Sequence, residues 1–333
     1  MYQISQFLPD YDCWFSQVFS ETRISKFLEK YTNIIEGTVM SEQCRENTEK
    51  YLRERGIQID YKAVRNKYDL VVFCSDMVVP ANLRQPKTIW VQEGMIDKLT
   101  LVSRIVKVLG LPIWVAGNTS LNGSTNICDV YCAASPGYKN ALSKMGADAK
   151  RIIVTGMPNY DDLQKFTNNN FPHRDYVMVA TTDMRETFRY ENRPAFIQDA
   201  VRIANGRRLL FKLHPNENFE RAENEIRKHA PKDTLIYHSG NTNEMIANCC
   251  ELITQYSTVV YTGIALGKKV HSWFNTDELY KLMPIQNGGT SAQNIANICR
   301  AYIEFEGSKN EFLNRFRYQP AKAEQMVEEL VTD

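Results

Sequence analysis

Short apolar runs rich in β-branched residues alternate with longer amphipathic stretches along most of the chain. Tyr68 to Cys74 and Lys87 to Val91 lack helical period and read as buried parallel strands, as do Val130 to Ala133 and Arg151 to Val154. Between them fall helical stretches: Ser41 to Arg55 before Gly56, Lys98 to Leu109 before Gly110, and Gly137 to Met145 before Gly146. Such alternation is the pattern of an α/β lobe with a parallel sheet.

From Asp162 to Arg174 the chain turns polar, with three consecutive Asn and a Pro, and reads as an interdomain linker. A second α/β lobe follows. Its expected strands are Tyr176 to Ala180, Arg208 to Leu213, Thr234 to Tyr237, Glu251 to Thr254 and Lys269 to Phe274. Its expected helices are Arg193 to Asn205, Phe219 to Lys228, Thr242 to Cys249, Thr258 to Leu266 and Ala292 to Phe305. The pattern thus predicts a first lobe over 1–165, a second over 166–308, and a tail over 309–333 whose helix, Ala321 to Val331, packs back on the first lobe.

Composition narrows the function classes. The 333 residues suit about two domains of 100 to 200 residues. With 40 Lys plus Arg against 39 Asp plus Glu, the chain lacks the basic excess of a nucleic-acid binder, so no nucleic-acid partner is expected. No secretory leader and no run of 18 apolar residues is present, which reads as a cytoplasmic, non-spanning protein. Eight cysteines in such a context read as reduced thiols; Cys128 and Cys132 could meet across a helical turn, but no second pair completes a zinc site. Dinucleotide, P-loop, zincin and α/β-hydrolase motifs are all missing. Asp10-Tyr11-Asp12 matches a metal-holding Asp-x-Asp only superficially, because it precedes any clear strand, and no metal site is expected.

The sharpest candidate chemistry is Lys212-Leu213-His214-Pro215. An apolar strand delivers a cation and a histidine to its carboxyl end, and Pro215 stops the ladder, so that the chain turns where open α/β sheets bind ligands. His214 then either contacts a phosphate or satisfies a loop carbonyl. A second strand runs into Gln255-Tyr256-Ser257-Thr258, which places Ser257 and Thr258 as helix caps able to face an anion. Thr181 and Thr182 follow the first strand of the second lobe and can meet a donor's phosphates or cap a helix. In the first lobe Glu93 directly follows a strand, where a carboxylate can take a proton from a substrate hydroxyl, and Gly94 lets a ligand approach the backbone. Lys98 to Val115 combines apolar faces with Lys98, Arg104 and Lys107; it reads as a core-facing helix with a solvated rim, with peripheral membrane contact as the alternative.

These pieces together resemble the GT-B superfamily in its nucleotide-sugar branch, which includes UDP-N-acetylglucosamine 2-epimerases, capsule, Kdo and sialyl transferases, and CDP-glycerol glycerophosphotransferases. Val154-Thr155-Gly156-Met157-Pro158-Asn159-Tyr160-Asp161 resembles the Val-Thr-Gly-Asn-Pro-x-x-Asp lobe junction, with Met157 where Asn is usual. Lys212-Leu213-His214-Pro215 resembles the donor-binding His-Pro motif, and Ser257-Thr258 the downstream Ser/Thr pair. Glu93-Gly94 is similar to the end of the acidic-acidic-Gly motif that supplies a general base, although Gln92 replaces the first acid. Gly263 stands near the position where many GT-B enzymes place a ribose-binding Glu.

The resemblance implies two Rossmann-like α/β/α lobes around an interlobe cleft, with the backbone at Gly94 and Gly156 lining it. It implies a metal-independent glycosyltransferase or polyol-phosphate transferase of bacterial surface polysaccharide synthesis. No cofactor is needed; the substrates are a nucleotide-activated donor, a cytidine-type nucleotide sugar or CDP-polyol, and a glycan or lipid-linked acceptor. Glu93 would be the base, and Lys212, His214, Pro215, Ser257, Thr258, Thr181 and Thr182 the donor site. The alternatives are a UDP-N-acetylglucosamine 2-epimerase and a non-catalytic nucleotide-sugar-binding scaffold.

Overall fold

The apolar runs become parallel strands in the structure, a computed structural model describing residues 1–17, 19, 42–111, 113–186 and 189–315. Two compact units emerge, Met1–Asn159 together with the chain from Asn287 onward, and Tyr160–Gln286. Unit one contains, in chain order, α1 (Tyr2–Ser5), β1 (Trp14–Phe15), α2 (Glu42–Arg53), β2 (Gln58–Ile59), β3 (Leu70–Phe73), β4 (Lys87–Val91), α3 (Leu101–Val108), β5 (Val130–Ala133), α4 (Pro136–Met145) and β6 (Ile152–Val154). Strands β3-β4-β5-β6 form one sheet in that order, all parallel, while β1 and β2 make a separate parallel pair. Local chemistry fixes the helix ends. Ser135 caps α4 by accepting from Tyr138 N at 3.2 Å, Pro136 starts it, and Gly146 ends it at φ 111°, a left-handed conformation that glycine adopts without steric cost.

Unit two contains β7 (Tyr176–Ala180), α5 (Arg193–Ala204), β8 (Leu209–Lys212), α6 (Phe219–His229), β9 (Leu235–Tyr237), α7 (Thr242–Asn248), β10 (Cys249–Thr254), α8 (Val260–Ala265), β11 (Lys269–His271) and α9 (Thr276–Leu282). Its parallel sheet runs β11-β10-β7-β8-β9. Side chains alternate across the central strand. Val177 and Val179 pack with Phe196, Ile197, Ala222 and Ile226 on one face, and Tyr176 and Met178 with Met245 and Ile246 on the other. Both faces are therefore covered by helices, as an all-parallel sheet requires.

The chain then returns to unit one as α10 (Ser291–Glu304) and α11 (Lys309–Arg315). This corrects the expected boundaries. Helix α10 belongs to unit one, where Ile295, Ile298, Cys299 and Tyr302 cover Ile89, Val91, Val130 and Cys132 of its sheet. Lys87, at the start of β4, fastens it by donating to the carbonyls of Tyr302 (2.8 Å), Ile303 (3.0 Å) and Phe305 (2.7 Å), a cation at the negative end of a helix. The polar stretch from Asp162 to Arg174 is part of unit two rather than a free linker: Asn169 and Asn248 exchange side-chain hydrogen bonds at 3.0 and 2.9 Å, and Asn248 also donates to His173 O at 3.2 Å. The helix expected at Ala321 to Val331 lies outside the described residues, although Phe312 of α11 is buried in the unit-one core. Cys132 lies on β5, not on a helical turn with Cys128, and both are free thiols. Among the described residues no helix is long and apolar enough to cross a membrane.

Candidate functional site

In unit two the strand order reverses between β7 and β10, the topological switch point outside which open α/β sheets bind ligands. Three loops leave carboxyl strand ends beside it: Thr181-Thr182-Asp183 after β7, Leu213-His214-Pro215 after β8, and Gln255 to Thr258 after β10. A buried polar network ties them together. The Glu217 carboxylate accepts from His214 N at 2.9 Å, from the Thr181 hydroxyl and from the Arg193 guanidinium. Arg193, 1% exposed, also donates to Glu191 at 2.9 Å. Gln255 closes the ring, accepting from the Thr182 hydroxyl at 2.8 Å and donating to Glu191 at 2.7 Å. Each buried charge here faces an opposite charge, which is what makes such a cluster tolerable, although one terminal nitrogen of the Arg193 guanidinium has no hydrogen-bond partner among the described residues.

The network sets the role of each expected donor-site residue. Both threonine hydroxyls bond within it, so Thr181 and Thr182 shape the loops. Lys212 is buried, and its ammonium donates to Leu213 O (2.9 Å) and His238 O (3.2 Å); burial pulls its pKa below the usual lysine value. His214 is different. Its side chain is about a third exposed, and its Nδ1 accepts from Asn216 N at 3.3 Å, with Asp183 Oδ2 at 3.6 Å. With Nδ1 turned to Asn216 N and Asp183, Nε2 is the ring nitrogen placed to donate to an anion, whether the ring is the Nε2–H tautomer or the imidazolium. Pro215 occupies the turn that Glu217 N closes onto His214 O at 3.1 Å.

Ser257 and Thr258 depart from the expected caps. Helix α8 starts only at Val260 and has no side-chain cap, because a tight turn precedes it, closed by Val260 N on Ser257 O (3.3 Å) and Tyr261 N on Thr258 O (3.1 Å). Ser257 Oγ accepts from Val259 N at 3.5 Å, and the Thr258 hydroxyl bonds that of Tyr160. Beside this turn lies a feature that sequence reading passed over. Tyr256 and Trp273 are half-exposed, with ring centroids 5.4 Å apart, and Phe274 lies 5.1 Å from Tyr256. Large aromatics directly after two strand ends were the available signal.

In unit one Glu93 lies in the loop after β4 with its side chain 45% exposed. It hydrogen-bonds the Cys74 thiol, whose pKa burial and the Glu93 charge push up to about 12. Gln92 is buried; its amide donates to Gly94 O at 3.0 Å and accepts from Ala134 N at 2.9 Å, bracing the loop against the next strand. Gly94 has no heavy atom within 4 Å of a built Cβ and no positive φ, so neither packing nor backbone conformation demands a glycine there. Gly156, at φ 84°, occupies the left-handed region after β6 and is needed conformationally. Asp10 and Asp12 flank Tyr11, whose hydroxyl bonds Glu304 at 2.9 Å. Among the described residues no group of three or more His, Cys, Asp and Glu could hold a metal ion.

No family model matches the chain, and no curated protein matches it in sequence. Its fold has solved counterparts. A protein assigned as a UDP-N-acetylglucosamine 2-epimerase from Listeria monocytogenes superposes with a TM-score of 0.51 at 13% identity, over 78% of this chain and 86% of that one. The fold is GT-B. Also similar, at lower scores, are a UDP-GlcNAc 2-epimerase from Neisseria meningitidis bound to UDP-GlcNAc (TM-score 0.47, 14% identity, 88% of this chain and 91% of that one) and the wall teichoic acid polymerase TagF (0.41, 15%, 99% and 92%).

Two departures noted in the sequence acquire physical reasons within the GT-B frame. A Cβ at Gly263 would lie 2.7 Å from Leu252 Cδ2 and 2.9 Å from Val270 Cγ2, so glycine is what lets α8 rest on β10 and β11. A glutamate at that spot would force the Leu252 and Val270 side chains to give way. Gln92, standing where the first acid of the GT-B acidic pair would be, is a buried strut, and an ionised carboxylate could not donate the bond to Gly94 O.

Proposed function

We propose that this GT-B chain is a transferase that moves a sugar or polyol phosphate from a nucleotide-activated donor, cytidine-type, to a glycan or lipid-linked acceptor in bacterial surface polysaccharide synthesis. The observation that carries the reading is His214 at the switch-point loops of a Rossmann-order sheet, its Nδ1 turned to Asn216 N and Asp183 so that Nε2 is left to meet a ligand. In this reading His214 Nε2–H and the Ser257 hydroxyl bond the donor's phosphate, where negative charge grows as the leaving nucleotide departs. Thr181, Thr182, Lys212, Gln255 and Glu217 hold the loops that carry them. The exposed Tyr256 and Trp273 rings offer faces on which a base can stack. Glu93 takes the proton from the acceptor hydroxyl as it attacks. No step requires a metal ion or a cofactor.

Incubation with CDP-polyols, CMP-sugars and UDP-sugars, with and without glycan or lipid-linked acceptors, tests the reading through acceptor-dependent nucleotide release. Glu93→Gln is expected to lower turnover by about 100-fold or more while donor affinity is kept. Undiminished turnover in that variant would remove the base assignment. Conversion of a UDP-N-acetylhexosamine without any acceptor would make the chain an epimerase instead.

A further inference from the structure

Helix α3 turns its apolar stripe away from the protein. Its inner face consists of Ser103 and Val106, both buried, with the Ser103 hydroxyl 2.6 Å from that of Ser120. Its outer face carries Leu101 (74% exposed), Val102, Ile105, Val108 (84%) and Leu109 (65%). Spaced i, i+1, i+4, i+7 and i+8, these residues form the single stripe that an amphipathic helix normally buries. The sequence reading expected this helix to face the core. Periodicity located the stripe but not the side to which it points.

The charge along the segment is one-sided. Between Asp97, which is hydrogen-bonded to Thr119, and Asp129 there is no Asp or Glu, in a chain that has 39 of them, while Lys98 and Arg104 are exposed beside the stripe. The exposed apolar side chains of the stripe are all aliphatic, without aromatic or Met anchors of the kind that protein interfaces concentrate at their centres; Trp114, in the turn that follows, is only partly exposed. With 8 residues against the roughly 20 needed for a span, α3 can lie in an interface but not cross a bilayer.

We propose that α3 docks in the plane of an anionic membrane leaflet, its Leu101-Val102-Ile105-Val108-Leu109 stripe among the acyl chains and Lys98 and Arg104 at the headgroup phosphates. This surface is independent of the donor-site assignment. The experiment is flotation of the full chain with phosphatidylcholine vesicles, with and without phosphatidylglycerol, and light scattering in vesicle-free buffer. Binding to the anionic vesicles is expected, at least about tenfold tighter than to the zwitterionic ones, and weakened by salt. Val108→Asp with Leu109→Asp is expected to reduce it about tenfold or more, as is Arg104→Glu, with melting temperature unchanged because these side chains are exposed. No binding to anionic vesicles, or equal binding of the double variant, overturns the proposal. A wild-type dimer that the double variant dissociates would assign the face to a second copy, and a lowered melting temperature would mean that the chain covers it itself; either outcome also overturns it.

Discussion

Glu217 is the residue on which the order of the switch-point loops depends. Its buried carboxylate accepts from the Arg193 guanidinium, the Thr181 hydroxyl and His214 N. Glu217→Ala leaves the Arg193 charge, at 1% exposure, with Glu191 as its remaining ion-pair partner, and leaves the Thr181 hydroxyl only Lys212 O (3.4 Å) and His214 N only Thr181 Oγ1 (3.1 Å) as acceptors. Removing one member of a buried ion pair costs about 3–5 kcal/mol. At about 4 °C per kcal/mol for a unit of this size, the unit-two unfolding midpoint should fall by roughly 15 °C. Glu217→Gln keeps the shape but turns an amide toward donors, so an intermediate loss of about 2 kcal/mol is expected. Scanning calorimetry measures both, and Trp273 emission identifies the unit-two transition, because the other tryptophans, Trp14, Trp90 and Trp114, lie in unit one. A Glu217→Ala midpoint within about a degree of wild type would refute the claim that this carboxylate holds the loops.

Two further predictions concern packing and pH. Gly263→Ala should cost about 1–3 kcal/mol in unit two, read as a lowered unfolding midpoint, because the new methyl meets Leu252 and Val270; an unchanged midpoint would contradict the packing reason given for the glycine. Glu251 meets Arg207 at 2.7 Å and His271 at 2.8 Å, and although burial raises its pKa, these partners and Lys269 outweigh that and hold it at about 2. The folded value lies below the unfolded one of about 4.3, so its contribution is present above the ordinary carboxylate range and is lost as pH falls toward 2. Half-exposed Arg207 screens the pair, which leaves about 1–2 kcal/mol near neutral pH. The stability gap between wild type and Glu251→Gln should therefore close on acidification, and a gap independent of pH would contradict the assignment.

The strands most legible in the sequence were those whose neighbours cover both faces. Lys87–Val91, Val130–Ala133 and Tyr176–Ala180 are continuous apolar runs, and the structure keeps their ends. The lobe to which α10 belongs was not legible, since its apolar face suits either sheet and only the tertiary fold sets it over Ile89 and Val130. The direction of the α3 stripe was hidden for the same reason. His214 stood out because a histidine and a proline end an apolar strand. Glu217, Gln255 and Arg193 did not, because polar residues in loops and at a helix start read as solvated until the fold buries them. The turn at Ser257 and Thr258 put the helix start later than a capping residue alone suggests.

The most direct test of a nucleotide-donor site at the unit-two switch point is a thermal-shift comparison of CMP, CDP, UMP, UDP and GDP on wild type and His214→Ala. A ligand that binds only the folded state at about 100 times its Kd stabilises by about 2.7 kcal/mol, which here corresponds to roughly 10 °C. A rise with the cytidine nucleotides that His214→Ala abolishes is the expected result. No shift with any nucleotide, or an equal shift in the variant, would contradict the donor site, and a shift confined to UMP and UDP would contradict the cytidine-type donor.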